Sequence, residues 1–341
     1  MARKTNRTLV TTQEEIDKIL PENKELMEDF LNYLETTDHS PQSIKVYKSN
    51  LNIFFVWLMK NAKNKDFANI KKRDIMNFQN YLIKRGLSPA RIRVLRSSIS
   101  SLGNFIECIL DEEEKWEDFR NVVLKIPAPN LQAVREKTII SDEELESLLQ
   151  TLVAKNKLQI ACFVAMAAYS GARKSELVQY KRSFFVDENV KNGLYVTPEI
   201  RTKGKGVAGK KLKKYALKSK VDYYLQLWDK ERERLGVTID DLFVVKREND
   251  FRPAKSETVT WWMNICEEIL GKDCYVHSLR HFFVSSLRRA NIPLDVIKDI
   301  VGHASSEVTA IYDDNPKENS FLQYFSDDGI KQVEAKALGD L

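Results

Sequence analysis

From about residue 22 to residue 106, apolar residues recur with a helical period. Leu26, Phe30 and Leu34 share one helical face. Ser40-Pro41 and Ser88-Pro89 are typical of helix starts, with serine as the cap and proline at the first helical position. A third helix is predicted over 72–85, ending near a glycine. The residues predicted to face the core are Ile44, Tyr47, Leu51, Phe54, Phe55 and Leu58 in the helix that starts at Ser40-Pro41. In the helix that starts at Ser88-Pro89 they are Ile92, Leu95, Ile99, Leu102 and Ile106.

The pattern changes after residue 110. An acidic run at 111–118 and prolines at 127 and 129 predict a linker. Ser141 with Glu144 fits a capping box, and the apolar run 158–169 predicts a buried helix. Short strands are predicted at 184–186, 194–197 and 215–217, with helices from 220 to the end, one of them at 293–301.

These elements predict a mainly α fold with two domains, the second containing a small β-sheet. The chain of 341 residues is too long for one compact core. We expect a flexible basic arm over 1–20, an all-α domain over 21–110 and a linker over 111–138. A second, α+β domain is expected over 139–312, followed by a tail over 313–341.

Positive charge is segregated along the chain, which has a net charge of +5. The stretches 75–106 and 201–220 contain no acidic residue, and the second contains nine basic ones. Such segregation favours a polyanionic partner such as DNA, although either run alone is as readily a solvated surface. The candidate DNA-binding residues are Lys84, Arg85, Arg91, Arg93, Arg96, Arg201, Lys205, Lys210 and Lys211.

Other classes of site and location are not supported. The four cysteines form no CxxC pair and have no histidine at ligand spacing, which argues against disulfides and zinc, and Cys162 is expected in the core. The longest apolar run is too short to span a bilayer, and the N-terminus lacks the apolar segment of a signal peptide. We therefore expect a cytoplasmic protein.

Candidate chemistry begins where the buried helix ends. Arg173 follows Ser170-Gly171 at the start of another helix, where an arginine fork and backbone N–H groups would favour a phosphate. Glu176 and Arg173 share a helical face, so the carboxylate could hold the guanidinium. His277 and Arg280 are also three residues apart. Taken alone, each pair is most often an ordinary surface feature.

Two more residues make the pattern specific. Gly302 suits the left-handed end of the helix at 293–301 and releases His303 into a turn, after which Ser305 is expected to cap a short helix ending at Tyr312. A tyrosine nucleophile needs a phosphate already polarised by cations, because its phenol is mostly protonated at neutral pH. His281 is interpreted as structural.

In type, order and approximate spacing, these residues resemble the tyrosine recombinase (phage integrase) family. The first motif is Ser170-Gly-Ala-Arg173-Lys-Ser-Glu-Leu177, and the second runs from His277-Ser-Leu-Arg280-His281 through Val301-Gly302-His303 to Tyr312. The resemblance extends from about residue 22 to Tyr312. It implies a C-shaped DNA clamp made of a helical, SAM-like core-binding domain and a catalytic domain.

The resemblance also implies roles. Arg173 and Arg280 would bind the scissile phosphate, and Tyr312 would attack it to form a 3′-phosphotyrosyl link. His277 and His303 would stabilise the transition state and assist proton transfer. A hairpin lysine, Lys203 or alternatively Lys205, would protonate the leaving 5′ oxygen. No metal, nucleotide or other cofactor is expected, because fixed positive charge would do that work.

The expected function is site-specific recombination through a Holliday junction, in a protein encoded by a bacterium, phage or mobile element and acting on the nucleoid. Double-stranded DNA is the expected partner, bound by a homotetramer on two sites and by a monomer or weak oligomer when free. A directionality factor is possible, and the tail after Tyr312 would dock either on its own domain or on a neighbouring protomer. Many integrases carry a separate arm-binding domain before the helical clamp, whereas only about twenty residues precede it here, so the two-site DNA bridging of those relatives is not expected. A type IB topoisomerase and a non-catalytic DNA-binding protein are the alternatives.

Overall fold

The computed structural model describes residues 11–130, 138–202, 204, 206, 208–248 and 250–302, with the backbone of 325–326 and 329–330. The chain divides into two compact units, the first comprising residues 1–136 and 204–208 and the second residues 137–203 and 209–341. Each unit has a hydrophobic core of its own. Among the described helices, none is long and apolar enough to cross a membrane.

The first unit is helical because its apolar positions recur on one side of each segment. The predicted caps are confirmed: Ser40 Oγ accepts from the Ser43 N–H, and Ser88 Oγ accepts from the Arg91 N–H, both at 3.2 Å. The helices are α1 (Gln13–Asp17), α2 (Pro21–Thr36), α3 (Pro41–Asn61), α4 (Lys72–Lys84) and α5 (Pro89–Ile109).

Aromatic rings fill the core of the first unit. Phe54 on α3 meets Phe78 on α4 edge to face, with ring centroids 5.0 Å apart, and Phe30 on α2 meets Phe105 on α5 at 5.6 Å. A buried hydrogen bond of 2.8 Å from Asn50 Nδ2 to the hydroxyl of Ser98 joins α3 to α5. These contacts hold the four long helices in one arrangement.

Two predicted boundaries of this unit differ from the structure. The predicted loose arm already contains α1, which Thr12 and Glu15 cap reciprocally, and Ile19 behind it is only 2% exposed. The predicted linker begins as part of the same core, because Trp116 and Val123 are both buried there. The polar composition of the arm and of the linker predicts that both are exposed to solvent. In the structure, a few buried apolar side chains hold each segment against the core.

The second unit surrounds α7, a helix so apolar that nearly all of it is buried. The capping box of Ser141 with Glu144 is confirmed at the start of α6. The helices are α6 (Asp142–Ala154), α7 (Leu158–Ser170), α8 (Lys174–Leu177), α9 (Lys218–Leu235), α10 (Ser256–Leu270), α11 (Val276–Arg289) and α12 (Leu294–Val301). Contacts with α6, α9 and α11 cover α7.

The strands of this unit are short and antiparallel. They form one three-stranded sheet in the order β1-β2-β5 and the two hairpins β3–β4 and β6–β7. The strands are β1 (Val190–Lys191), β2 (Leu194–Val196), β3 (Ile200–Thr202), β4 (Lys210–Leu212), β5 (Tyr215–Leu217), β6 (Val244–Arg247) and β7 (Asp250–Pro253). A further pair of two-residue strands, β8 (Phe325–Ser326) and β9 (Gly329–Ile330), lies later in the chain.

The predicted strands 194–197 and 215–217 correspond to β2 and β5, but the strand predicted at 184–186 is wrong. There the backbone curls into 3₁₀ turns, because Arg182 pairs with Asp229 and donates from Nη1 to the Phe185 carbonyl at 2.6 Å. Phe185 is buried all the same. The prediction of helices alone after residue 220 is also wrong, since β6 and β7 form a hairpin.

Candidate active site

The turn between α7 and α8 places the first candidate residue. Gly171 ends α7 with a φ of +60°, the left-handed conformation that favours glycine, and a Cβ there would lie 2.5 Å from Cδ1 of Phe283. The Ser170 hydroxyl donates to the Met166 carbonyl and accepts from the Ala172 N–H and, at 3.4 Å, from the Tyr180 hydroxyl. The chain therefore leaves α7 in one fixed direction.

Arg173 is held against Glu176 as the sequence predicts. Its backbone N–H donates to Oε2 of Glu176 at 2.8 Å, and its Nη1 donates to Oε1 at 3.0 Å. The carboxylate is fully buried, whereas 24% of the Arg173 side chain remains exposed. This is not the solvated surface pair that is the common outcome of such spacing. One end of the guanidinium is fixed while part of it still faces solvent.

Arg280 comes from α11 and approaches the same place. It is 1% exposed, and it donates from Nη1 to the Gly171 carbonyl and from Nη2 to the Val301 carbonyl, the latter at 2.9 Å. The charge is therefore stabilised by backbone oxygens in a region from which water is excluded. A cation in such surroundings acts on a nearby anion more strongly than it would in water.

The C-terminus of α12 receives both arginines. Gly302 has a φ of +70°, as predicted for a left-handed helix end. The Gly302 carbonyl accepts from Nη2 of Arg173 at 3.3 Å, beside the Val301 carbonyl that accepts from Arg280. The last carbonyls of a helix carry partial negative charge, so this end of α12 attracts the two cations. The contact between Arg173 and Gly302 joins residues 129 positions apart in the sequence, and the contact between Arg280 and Gly171 joins residues 109 positions apart.

His277 starts the same helix as Arg280, and its side chain is exposed. Partial desolvation of its ring, reinforced by the charges of Arg280 and Arg173, lowers the pKa of His277 below its ordinary value. The imidazole is therefore neutral around pH 7 and has one N–H to donate and one nitrogen to accept a proton. His281, interpreted as structural, is buried with Nδ1 3.4 Å from the hydroxyl of Ser285.

Lys214 is one of the nine basic residues in the stretch 201–220 and is not among the predicted site residues. The structure buries it completely, with Nζ 3.0 Å from Oε2 of Glu176 and 3.4 Å from the Val301 carbonyl. One signal was available: in the predicted strand at 215–217, alternation places Lys214 on the same face as the buried Ala216. A lysine on the inner face of a strand requires an internal partner.

The β3–β4 hairpin presents three of the candidate DNA-binding residues. Arg201 lies directly opposite Lys211 across the hairpin, and Lys210 opposite Thr202. All three basic side chains are exposed. The hairpin therefore concentrates positive charge on the surface of the second unit. The exposure of these side chains agrees with a surface position, and their DNA-binding role stays a prediction.

The candidate DNA-binding residues of the first unit separate into two groups. Lys84 and Arg85 are exposed and Arg91 is partly buried. By contrast, Arg96 is 6% exposed and donates to the carbonyls of Val123, Ile126 and Pro127, and exposed Arg93 donates to the Pro129 carbonyl at 2.9 Å. We correct the assignment of Arg96: its guanidinium fixes the segment after α5 and is not available to DNA.

Four of the predicted catalytic and binding residues, Lys203, Lys205, His303 and Tyr312, lie outside the described residues. So do Ser305 and the side chains of the tail. Their roles stay predictions.

Both units of the chain match known protein families. Residues 138–319, more than half of the chain, match the Phage integrase family, and residues 26–112 match the phage integrase N-terminal SAM-like domain. The chain belongs to the phage integrase family. The predicted family, also called the tyrosine recombinases, is thereby confirmed.

This integrase-family chain has curated relatives along most of its length. It is 26% identical over 304 residues to the SPbeta prophage-derived recombinase-like protein YomM of Bacillus subtilis (strain 168), covering 87% of each chain. It is 24% identical over 309 residues to a tyrosine recombinase of Thermosipho africanus (strain TCF52B), covering 87% of this chain and 95% of the relative.

Solved structures confirm the fold class. The XerH site-specific recombinase bound to palindromic difH substrate aligns over 94% of this integrase-family chain and 90% of its own, with a TM-score of 0.64 and 20% identity. A lambda integrase dimer bound to a COC′ core site aligns over 92% and 80%, with a TM-score of 0.64 and 17% identity. The family is one of site-specific recombinases, and this chain is an enzyme of that class.

Proposed function

We propose that the enzyme cuts and rejoins DNA at specific sites through a 3′-phosphotyrosyl intermediate and a Holliday junction. The observation that supports this most is the convergence of Arg173 and Arg280 beside the buried carboxylate of Glu176. Arg173 is partly exposed and Arg280 is buried. A bound phosphate would therefore contact Arg173 directly and be stabilised electrostatically by Arg280.

In the proposed first step, the Tyr312 oxygen attacks the scissile phosphorus. A tyrosyl O–P bond forms as the P–O bond to the 5′ oxygen breaks, and Lys203 or Lys205 gives that oxygen a proton. His277 is neutral around pH 7, so it can donate a hydrogen bond to the phosphate or accept the phenol proton. The second step reverses these bonds: a 5′ hydroxyl from the other duplex attacks the phosphotyrosine and releases Tyr312.

Double-stranded DNA is the proposed partner. The exposed basic side chains of Arg201, Lys210 and Lys211 on the β3–β4 hairpin support it, because clustered positive charge on a surface attracts the phosphates of DNA. Relatives in the solved structures are bound to such substrates, including XerH on difH and a lambda integrase tetramer on a Holliday junction. We propose by analogy that a homotetramer acts on two DNA sites.

Covalent capture tests the proposal. The wild-type protein and the Tyr312→Phe variant are incubated with fragmented DNA from the source and its mobile elements, denatured, and the protein-linked ends are sequenced. We expect adducts at a recurrent sequence with the wild type alone, while Tyr312→Phe retains DNA binding because only one hydroxyl has been removed.

Other results would contradict specific parts of the proposal. Scattered adducts without sequence preference would indicate topoisomerase-like chemistry. Adducts that persist with Tyr312→Phe would exclude Tyr312 as the nucleophile. Nicked substrates can be used to trap the covalent protein–DNA intermediate. If the protein binds such a substrate and still forms no adduct, the proposed cleavage is refuted.

A further inference from the structure

The most unusual charged group outside the predicted set is Lys214, which sits between β4 and β5. Its backbone extends the pairing of β2 with β5: the Lys214 N–H donates to the Thr197 hydroxyl, and the Thr197 N–H donates to the Lys214 carbonyl, both at 2.9 Å. This fixes the side chain to point inward. Complete burial of a lysine is rare and requires compensation by opposite charge.

Glu176 provides that compensation. Its Oε2 accepts from the Arg173 backbone N–H and lies 3.0 Å from Nζ of Lys214, while Oε1 accepts from the Arg173 guanidinium. Burial acts to raise the pKa of Glu176, but Lys214 and Arg173 outweigh it and hold the pKa below the usual value. The carboxylate that fixes Arg173 is thus kept ionised chiefly by Lys214.

Lys214 also contacts the helix end that receives the arginines. Its Nζ is 3.4 Å from the Val301 carbonyl, which accepts from Arg280 as well. A Cβ on Gly302 would lie 3.3 Å from the same Nζ, so the end of α12 is packed directly against this lysine. The Lys214 ammonium group therefore contacts both Glu176, which binds Arg173, and the Val301 carbonyl, which binds Arg280.

We propose that Lys214 is a positioning residue for phosphate binding: through Glu176 and the Val301 carbonyl it fixes Arg173 and Arg280 relative to each other. The inference rests on the proposed function for its consequence in catalysis. Lys214 is too enclosed to reach DNA, which separates it from the exposed basic residues of the hairpin.

Loss of Lys214 should make the site sensitive to acid. Among the residues that the structure describes, the other charged or titratable groups around Glu176 are Arg173, Arg280, Tyr180 and His277. In Lys214→Met only the arginines remain to oppose burial, so the carboxyl takes up a proton at a higher pH. Once protonated, Glu176 no longer holds Arg173 in place. The phosphate then loses its contact with the Arg173 guanidinium, the more exposed of the two arginines.

The test measures single-turnover cleavage of a trapped DNA substrate between pH 5.5 and 8.5, expressed as the ratio of variant to wild type. We expect the ratio for Lys214→Met to fall by about tenfold toward low pH, since each pH unit below a pKa removes about nine-tenths of the ionised form. The double variant Lys214→Met/Glu176→Gln lacks the carboxyl whose protonation is proposed to release Arg173, so its lower ratio should be flat. Lys272→Met, which breaks another lysine–glutamate pair with Glu144, should also give a flat ratio.

A purely structural role would lower the ratio for Lys214→Met equally at every pH, and that result would overturn the inference while leaving the proposed function intact. An acid-sensitive double variant would overturn it too.

NMR of ¹⁵N-arginine-labelled protein, with the signal assigned by Arg173→Lys, gives a readout that needs no cleavage. If the wild type does not cleave, the proposed function fails. A wild-type-like Arg173 signal in Lys214→Met at low pH would then refute the inference, and an acid-induced loss of that signal would support it.

Discussion

Gly171→Ala should be unusually destabilising for an exchange that adds one methyl group. Two costs combine at this position. A non-glycine residue at a φ of +60° costs about 1–2 kcal/mol, and crowding a packed core costs about 1–3 kcal/mol more. The crowding is specific: the added Cβ would lie 2.5 Å from the Phe283 ring, which is 3% exposed and has little room to move.

Gly236→Ala is the matched control. Gly236 also ends a helix of the second unit in the left-handed conformation, at a φ of +73°, but no heavy atom lies within 4 Å of a Cβ built there. We therefore expect a loss in the free energy of unfolding of about 2–5 kcal/mol for Gly171→Ala and about 1–2 kcal/mol for Gly236→Ala. The difference isolates the contact with Phe283.

Scanning calorimetry and urea unfolding of the full chain measure the comparison, with the transition of the second unit followed in each variant. The double variant Gly171→Ala/Phe283→Leu should lose less than the sum of its single changes, because the smaller side chain makes room. Equal losses for Gly171→Ala and Gly236→Ala would refute the reasoning. Folded Gly171→Ala should also cleave more slowly, since Arg280 donates to the displaced Gly171 carbonyl.

Three further predictions concern charge. Arg96→Met should lower the free energy of unfolding of the first unit by about 2–4 kcal/mol because it strands buried carbonyls, whereas exposed Arg93→Met should cost less than about 1 kcal/mol; calorimetry decides. Lys211→Gln should reduce the slope of log affinity for DNA against log salt by about 0.9, while the exposed Lys230→Gln on α9 leaves it unchanged in binding titrations. His277 has a lowered pKa when folded, so the unfolded chain takes up its proton first as pH falls through the ordinary imidazole value. The wild type should lose stability there, and His277→Gln should lose less in denaturant titrations across that range.

The parts of the fold that the sequence predicts are those with local causes. Ser40, Ser88 and Ser141 cap helices because a hydroxyl reaches an N–H three residues on, and Arg173 meets Glu176 for the same reason of spacing. Their partners are close in the sequence, so pattern and spacing suffice. The left-handed glycine at 302 follows from the same kind of local signal.

What the sequence does not predict depends on partners far along the chain. Arg96 has the charge of a DNA contact, and only the return of residues 123–127 to α5 shows that its guanidinium is occupied. Lys214 meets a carboxylate 38 positions earlier. The β6–β7 hairpin turns at Glu248 with a φ of +53°, without the glycine that usually marks such a turn. In each case tertiary packing overrides local composition.

The end of α12 explains why the candidate site needs all of these distant segments. Its last two carbonyls accept from Arg173, Lys214 and Arg280, which come from three different elements, and the helix dipole places partial negative charge where the three cations meet. The buried Glu176 adds one full negative charge for three positive ones. The excess positive charge is what a phosphate would neutralise. Because His303 directly follows residue 302 and Tyr312 lies ten residues after it, the helix end that holds the arginines also leads into the segment predicted to carry out the attack.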